Sequence, residues 1–379
     1  MASSRRIFSV LVLILALAGP AVASGRSSPR AAALTSAINR VMRQASVPGA
    51  IVGVWQRGAD PYVKAFGVRN KTPRRPMSTD LYMRIGSETK TFTVTALLQL
   101  VDQGKVRLDD PISKYVAGVP DGNAITLREL AEMRSGLFDY LSNPAFLPAL
   151  GSHPRRGWTP QQLLAYSFSK PLVFAPGTSY QYANTNFVLL GLVVQKVSHQ
   201  PVAVYIKQHI LEPLRLTHTS LPTGAAFPSP HAQGYTYVSP ECVLAGRCRR
   251  IVNATSWNLS WGWAAGAMVS TLGDLRRWAR AVATGKLLSP ATQKQRLRFI
   301  ATGTEGYGYG LGLMNINGWI GHSGLIPGYQ SLTSYLPSQQ ATIVVLINTG
   351  FIGSPHEPVL LLGQAITKII TPRHVYITG

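Results

Sequence analysis

Tyr82-Met83-Arg84-Ile85-Gly86-Ser87-Glu88-Thr89-Lys90 is an extended, largely apolar run that reaches a glycine and then turns sharply in character. The apolar segment 92–101 that follows has the length and composition of a buried helix, so residues 87–90 form its opening turn. Three positions of separation place the Ser87 hydroxyl and the Lys90 amine on one helical face. A hydroxyl beside an amine able to take its proton is the chemistry of an activated nucleophile, with lysine in the place that histidine takes in more familiar nucleophile–base pairs. Read in isolation, the same residues also fit a helix-capping serine followed by a solvated lysine. A second Ser-x-x-Lys, at Ser167 and Lys170, runs straight into Pro171 and reads as a surface turn.

Elements on either side of this turn have different textures. Residues 33–45 carry the period of an amphipathic helix, and 50–56 and 62–68 read as strands of a hairpin joined by Gly58-Ala59-Asp60-Pro61. Helical periods fill the middle, at 89–103, 126–133, 160–167, 186–198 and 202–211, and again after Asp274. Strand texture returns at 307–313, 319–322, 329–336 and 342–348, followed by an apolar helix over 357–370. The expected fold class is α+β: an antiparallel sheet built from both chain ends, flanked by terminal helices, with a mainly helical lobe inserted. The expected boundaries are a domain over 33–370, with an α/β lobe at 33–75 and 300–370 and the helical lobe at 76–299. Residues 24–32 read as a flexible mature N-terminus and 371–379 as a tail.

Arg5 and Arg6, the short apolar run 7–18 and Ala21-Val22-Ala23 have the form of a signal peptide over 1–23, which predicts a secreted, periplasmic or cell-envelope protein. In an exported chain, Cys242 and Cys248 are candidates for a local disulfide. The 37 Lys and Arg against 15 Asp and Glu give a net charge of +22, which favours electrostatic association with an anionic envelope. These basic residues are scattered, without a polybasic run or recognisable module, so no nucleic-acid partner is expected. The eight histidines are dispersed and no Cys-x-x-Cys or His-Glu-x-x-His occurs, so neither a metal nor any cofactor is expected. The sequence leaves the oligomeric state open.

Ser87-x-x-Lys90, Tyr182-x-Asn184 and His322-x-Gly324 occur in that order, along with Pro176-Gly177-Thr178, Tyr309-Gly310-Leu311-Gly312-Leu313 and Pro327-Gly328-Tyr329. Across about 35–370 the chain thereby resembles the serine hydrolases of class C β-lactamases and D-alanyl-D-alanine carboxypeptidases, a β-lactamase/transpeptidase-like fold. The resemblance implies that Ser87 attacks a carbonyl and becomes acylated, that Lys90 helps remove its proton, and that Tyr182 is a second proton carrier. It assigns Asn184, His322, Ser323 and Gly324 to substrate binding and the backbone N–H groups of Ser87 and Leu325 to an oxyanion hole. Lys90 can act as a base only if its surroundings lower its pKa.

Three departures from the family pattern occur, of which the first two bear on the substrate. Met314 follows the Tyr-Gly-Leu-Gly-Leu run where carboxypeptidase members carry a carboxylate-binding arginine, and Leu325 stands where a hydroxyl residue is expected. In Met133-Arg134-Ser135-Gly136-Leu137 only Ser-Gly-Leu matches the family run; it reads as structural, with Arg134 as an alternative cleft-facing residue. The reading that follows is an exported serine hydrolase acting on a D-peptide or β-lactam amide, with a small-molecule or cell-wall peptide as partner. An esterase or amidase with an apolar substrate site is the alternative, and a non-turnover penicillin-binding or envelope-binding protein is a third reading.

Overall fold

The computed structural model describes residues 28–237, 251–350 and 357–377; the 1–23 segment and both cysteines, Cys242 and Cys248, lie outside these residues. Its main sheet has nine strands in the order Arg75–Pro76, Ala59–Asn70, Gly49–Gln56, Ala341–Ile347, Tyr329–Leu336, Trp319–Ile326, Met314–Ile316, Tyr307–Tyr309 and Ile300–Ala301. Every pairing in it is antiparallel. The two chain ends meet at its centre, where Gly49–Gln56 pairs with Ala341–Ile347 in the register Val52↔Val345. All seven residues of Ala341–Ile347 are buried, as expected for a central strand covered on both faces.

The terminal helices Pro29–Gln44 and Pro358–Ile370 pack on each other, and the second also packs on the central strands. The first begins where local chemistry allows: Pro29 occupies the first turn, where its missing N–H costs nothing, and Ser28 Oγ accepts from the Ala31 N–H at 3.2 Å. The expected strand over 307–313 is in fact interrupted. Tyr307–Tyr309 ends before a turn in which the Gly310 N–H donates to Leu313 O, Leu311 N–H to Arg296 O and Gly312 N–H to Ala131 O. The ladder then resumes with Met314–Ile316.

The helix Thr89–Asp102 runs through the core, packed chiefly against the helix Asn184–Ser198, with eleven of its residues buried. A helix so enclosed carries its polar groups only because they are satisfied internally. Thr91 Oγ1 donates to Glu88 O at 2.7 Å and Thr95 Oγ1 to Thr91 O at 2.6 Å. The Trp278 indole N–H donates to Thr91 Oγ1 at 2.8 Å while its ring stacks on Phe92 at 4.0 Å between centroids. Buried Arg296 donates to Thr95 Oγ1 and to Thr91 O at 2.8 and 3.0 Å. These bonds fix the rotation of the helix, and with it the direction in which residues 87 and 90 point.

Candidate active site

Ser87 lies in the single 3₁₀ turn Gly86–Glu88 that feeds this helix. Two glycines let that turn sit directly against the Trp319–Ile326 strand. Gly86 has φ +50°, and a Cβ there would fall 2.9 Å from Leu325 N; a Cβ on Gly324 would fall 1.9 Å from Ile85 O. No side chain other than hydrogen fits between these backbones. Ser331 Oγ donates to Ile85 O at 2.9 Å and closes the junction from the neighbouring strand.

The Lys90 ammonium nitrogen is completely buried and has three partners. Nζ lies 2.8 Å from Ser87 Oγ, 2.7 Å from Asn184 Oδ1 and 2.8 Å from Ala265 O. Burial pushes its pKa down to about 7, against an opposing pull from the Asp139 carboxylate. A large fraction of Lys90 is therefore neutral at ordinary pH, with a lone pair available to the Ser87 hydroxyl.

Asn184 begins the helix Asn184–Ser198, and its orientation is set by Asp139. Asp139 Oδ1 accepts from the Asn184 backbone N–H at 3.0 Å and Oδ2 from its Nδ2 at 3.1 Å. With the amide nitrogen committed to a carboxylate, the amide oxygen must face Lys90. Burial raises the Asp139 pKa, with the two Asn184 bonds acting the other way.

Tyr182 reaches the site from the extended residues before that helix, held where the Gln181 N–H donates to Met133 O at 3.0 Å. Lys90 Nζ sits 4.9 Å from its ring centroid. Burial drives its hydroxyl well above the usual phenol range, with the Ser87 hydroxyl beside it acting in the opposite sense. Tyr182 is thus a neutral phenol, able to hand on a proton rather than hold a charge.

His322 occupies a different layer. It pairs with Thr333 across the ladder, is 1% exposed, and burial followed by the Lys90 charge pushes its pKa down to about 3. The neutral ring has one donor: with Ser323 O accepting from Nδ1–H, Nε2 accepts the Tyr309 hydroxyl at 3.2 Å. Among the described residues no carboxylate is paired with His322, and its ring centroid is 6.3 Å from that of Tyr182. This is a scaffold for the aromatic wall, not the middle of a Ser-His-Asp array.

A cavity of about 520 Å³ opens over Ser87. Of the residues singled out by sequence, Ser87, Tyr182, Asn184, Ser323 and Leu325 line it; Lys90 lies beneath it, and His322 and Gly324 are not among the lining residues. Its walls are mostly apolar, with Trp261, Met314, Ile316, Ile326, Leu360 and Ile377. Arg134 is not among them: it donates to Gly177 O and lies 3.9 Å from Glu132. No described arginine lines the cavity where a substrate carboxylate would need one. The second Ser-x-x-Lys is structural, since Ser167 is buried in the helix Pro160–Phe168 with Oγ donating to Phe138 O at 2.6 Å. Three contributors escaped the sequence: Asp139, the Ala265 carbonyl, and Glu357 on the cavity wall.

A serine held by a buried lysine where an antiparallel sheet meets a helical lobe is the arrangement of acyl-transferring serine hydrolases. The chain belongs to the β-lactamase family, whose model matches residues 34–358. It is similar to a D-stereospecific amidohydrolase from Streptomyces sp., with 32% identity and a TM-score of 0.77, covering 88% of this chain and 97% of that one. It is also similar to the D-amino acid amidase of Ochrobactrum anthropi SV3 in complex with D-phenylalanine, with 26% identity, a TM-score of 0.76, and 89% and 98% coverage. Protein flp of Staphylococcus aureus (strain MRSA252) is 26% identical over 321 residues, 82% of this chain. The chain spans 61% of the length of that relative.

Proposed function

We propose that this chain is an exported serine hydrolase that cleaves amides of D-configured amino acids or peptides through an acyl-Ser87 intermediate. The observation that carries the reading is the 2.8 Å contact between Ser87 Oγ and a buried Lys90 whose pKa lies at about 7. Neutral Lys90 takes the Ser87 proton as Oγ bonds to the substrate carbonyl carbon. The backbone N–H groups of Ser87 and Leu325 face the oxygen on which negative charge develops, a contribution of several kcal/mol in such sites. Tyr182 passes a proton to the departing amine nitrogen as the C–N bond breaks. Water then adds to the ester carbonyl, its proton leaves through Tyr182 and Lys90, and Ser87 Oγ departs with a proton restored.

The D-configuration and the amide bond are supported by the amidohydrolase and amidase neighbours. The mostly apolar cavity supports a hydrophobic acyl side chain, and the absence of a lining arginine among the described residues speaks against a free terminal carboxylate as the main recognition element. The leader-like 1–23 segment supports export, and the +22 charge an anionic envelope as the setting. The test is turnover of D- and L-phenylalanine amide, benzylpenicillin and 4-nitrophenyl butyrate by the purified chain and its Ser87→Ala variant. Ser87-dependent hydrolysis that favours the D-amide is expected. Preference for the short ester would move the assignment to an esterase, and Ser87-independent turnover would end it.

A further inference from the structure

Glu357 is the one carboxylate among the described residues lining the cavity that holds Ser87. Its backbone caps the helix Pro358–Ile370, accepting the Leu360 N–H at 2.9 Å, but its side chain makes no capping bond. A glutamate at a helix start ordinarily turns back to the free N–H groups. Here Gln330 Oε1 takes the Val359 N–H at 3.1 Å instead, which releases the Glu357 carboxyl from that task. Glu357 Oε2 is buried without a hydrogen-bond partner among the described residues. Tyr182 and Tyr307 line the same cavity as Glu357; burial raises the pKa of both hydroxyls, and the Glu357 charge adds to it. Burial raises its own pKa, and no cation among the described residues offsets that.

A carboxylate with one buried, unsatisfied oxygen, in a mostly apolar cavity with no other charged lining residue among the described ones, is a group awaiting a cationic donor. The chain is rich in Lys and Arg, yet among the described residues none forms an ion pair with Glu357. We infer that Glu357 is a specificity-determining residue that receives the free α-ammonium group of the substrate, so that the chain acts on amino-terminal residues and amino-acid amides. The inference rests on the hydrolase reading above and adds to it which end of the substrate is recognised. An N–H⁺ donor on the acyl unit satisfies Oε2, the apolar walls take the side chain, and the carbonyl lies between Ser87 and the Leu325 N–H. A blocked or absent amine leaves the carboxylate unpaired and loses the charged hydrogen bond.

The experiment compares kcat/KM for D-phenylalanine 4-nitroanilide with that for its desamino analogue, 3-phenylpropanoyl 4-nitroanilide, in the wild type, Glu357→Gln and Ser87→Ala. A charge-assisted bond predicts a wild-type preference for the amine of roughly ten- to hundredfold, collapsing toward unity in Glu357→Gln. Equal rates on the two substrates in the wild type overturn the inference without recourse to a variant, as does a preference that survives Glu357→Gln in a folded protein. If Glu357→Gln fails to fold, Glu357→Asp takes its place, with a reduced preference expected. Ser87-dependent turnover without amine preference removes Glu357 alone from the account; no Ser87-dependent turnover of either substrate removes the hydrolase reading and this inference together.

Discussion

The pH dependence of acylation is governed by Lys90, and Asp139 provides the handle on it. An ordinary lysine with a pKa near 10.4 is neutral in only about 4 molecules per 10,000 at pH 7. Burial that brings Lys90 to about 7 raises that fraction to about one half, a gain of roughly a thousandfold in the competent form. The acylation rate should therefore climb with pH and level off above a midpoint near 7. Asp139 opposes this depression through its negative charge and by turning the Asn184 oxygen toward Nζ. Asp139→Asn removes the charge and lets the Asn184 amide rotate, and both changes disfavour the ammonium form. Its midpoint should move to lower pH by about one unit or more. Stopped-flow acylation with a chromogenic substrate, from pH 5 to 10, reads the midpoint independently of the absolute rate. A wild-type midpoint near 10, or an Asp139→Asn midpoint that stays put or rises, would refute the reasoning.

Other consequences follow from the same geometry. Tyr182→Phe keeps the ring packing against Tyr309 but removes the proton carrier, so turnover should drop by about 10²–10⁴ with unchanged circular dichroism. Gly324→Ala would drive a Cβ to 1.9 Å from Ile85 O; a loss of about 1–3 kcal/mol in chemical denaturation is expected, with a larger proportional loss of turnover. Buried Glu88 is pushed up to about 8 by desolvation, which the Ser331 and Thr333 hydroxyls offset only in part. The folded state therefore holds a proton that the unfolded chain releases above its ordinary carboxyl range, so this group lowers stability as pH rises from about 4.5 to 8. Glu88→Gln should flatten that decline, with a gain over wild type approaching roughly 5 kcal/mol at the alkaline end; equal pH–stability curves would show that Glu88 is not held neutral.

The sequence made the central turn legible because its information is local. Three positions along a helix put Ser87 and Lys90 on one face whatever the rest of the chain does, and the apolar run after them implies burial. The sheet assembled from both chain ends was legible from the strand textures at 50–68 and 307–348. What escaped depended on long-range packing. Asp139 is 45 positions from Asn184, and nothing in its neighbours marks it as the group that orients an amide. Glu357 looks like a helix-capping residue until Gln330, from another strand, is seen to have taken that role. The run 309–313 alternates in size as a strand does, yet its N–H groups go to Ala131 and Arg296, which only the folded helical lobe brings there. His322 sits on the strand where the motif placed it, but its ring is bonded to Tyr309 and Ser323 O beside the cavity rather than lining it.

Intact-protein mass spectrometry of the wild type and Ser87→Ala, sampled over time with benzylpenicillin and with an activated short-chain ester, tests the acyl-Ser87 mechanism most directly. The account predicts an acyl adduct that forms on the wild type, maps to the peptide containing Ser87, and is absent from a correctly folded Ser87→Ala. An adduct of equal extent on Ser87→Ala, or substrate hydrolysis that continues without Ser87, would contradict it.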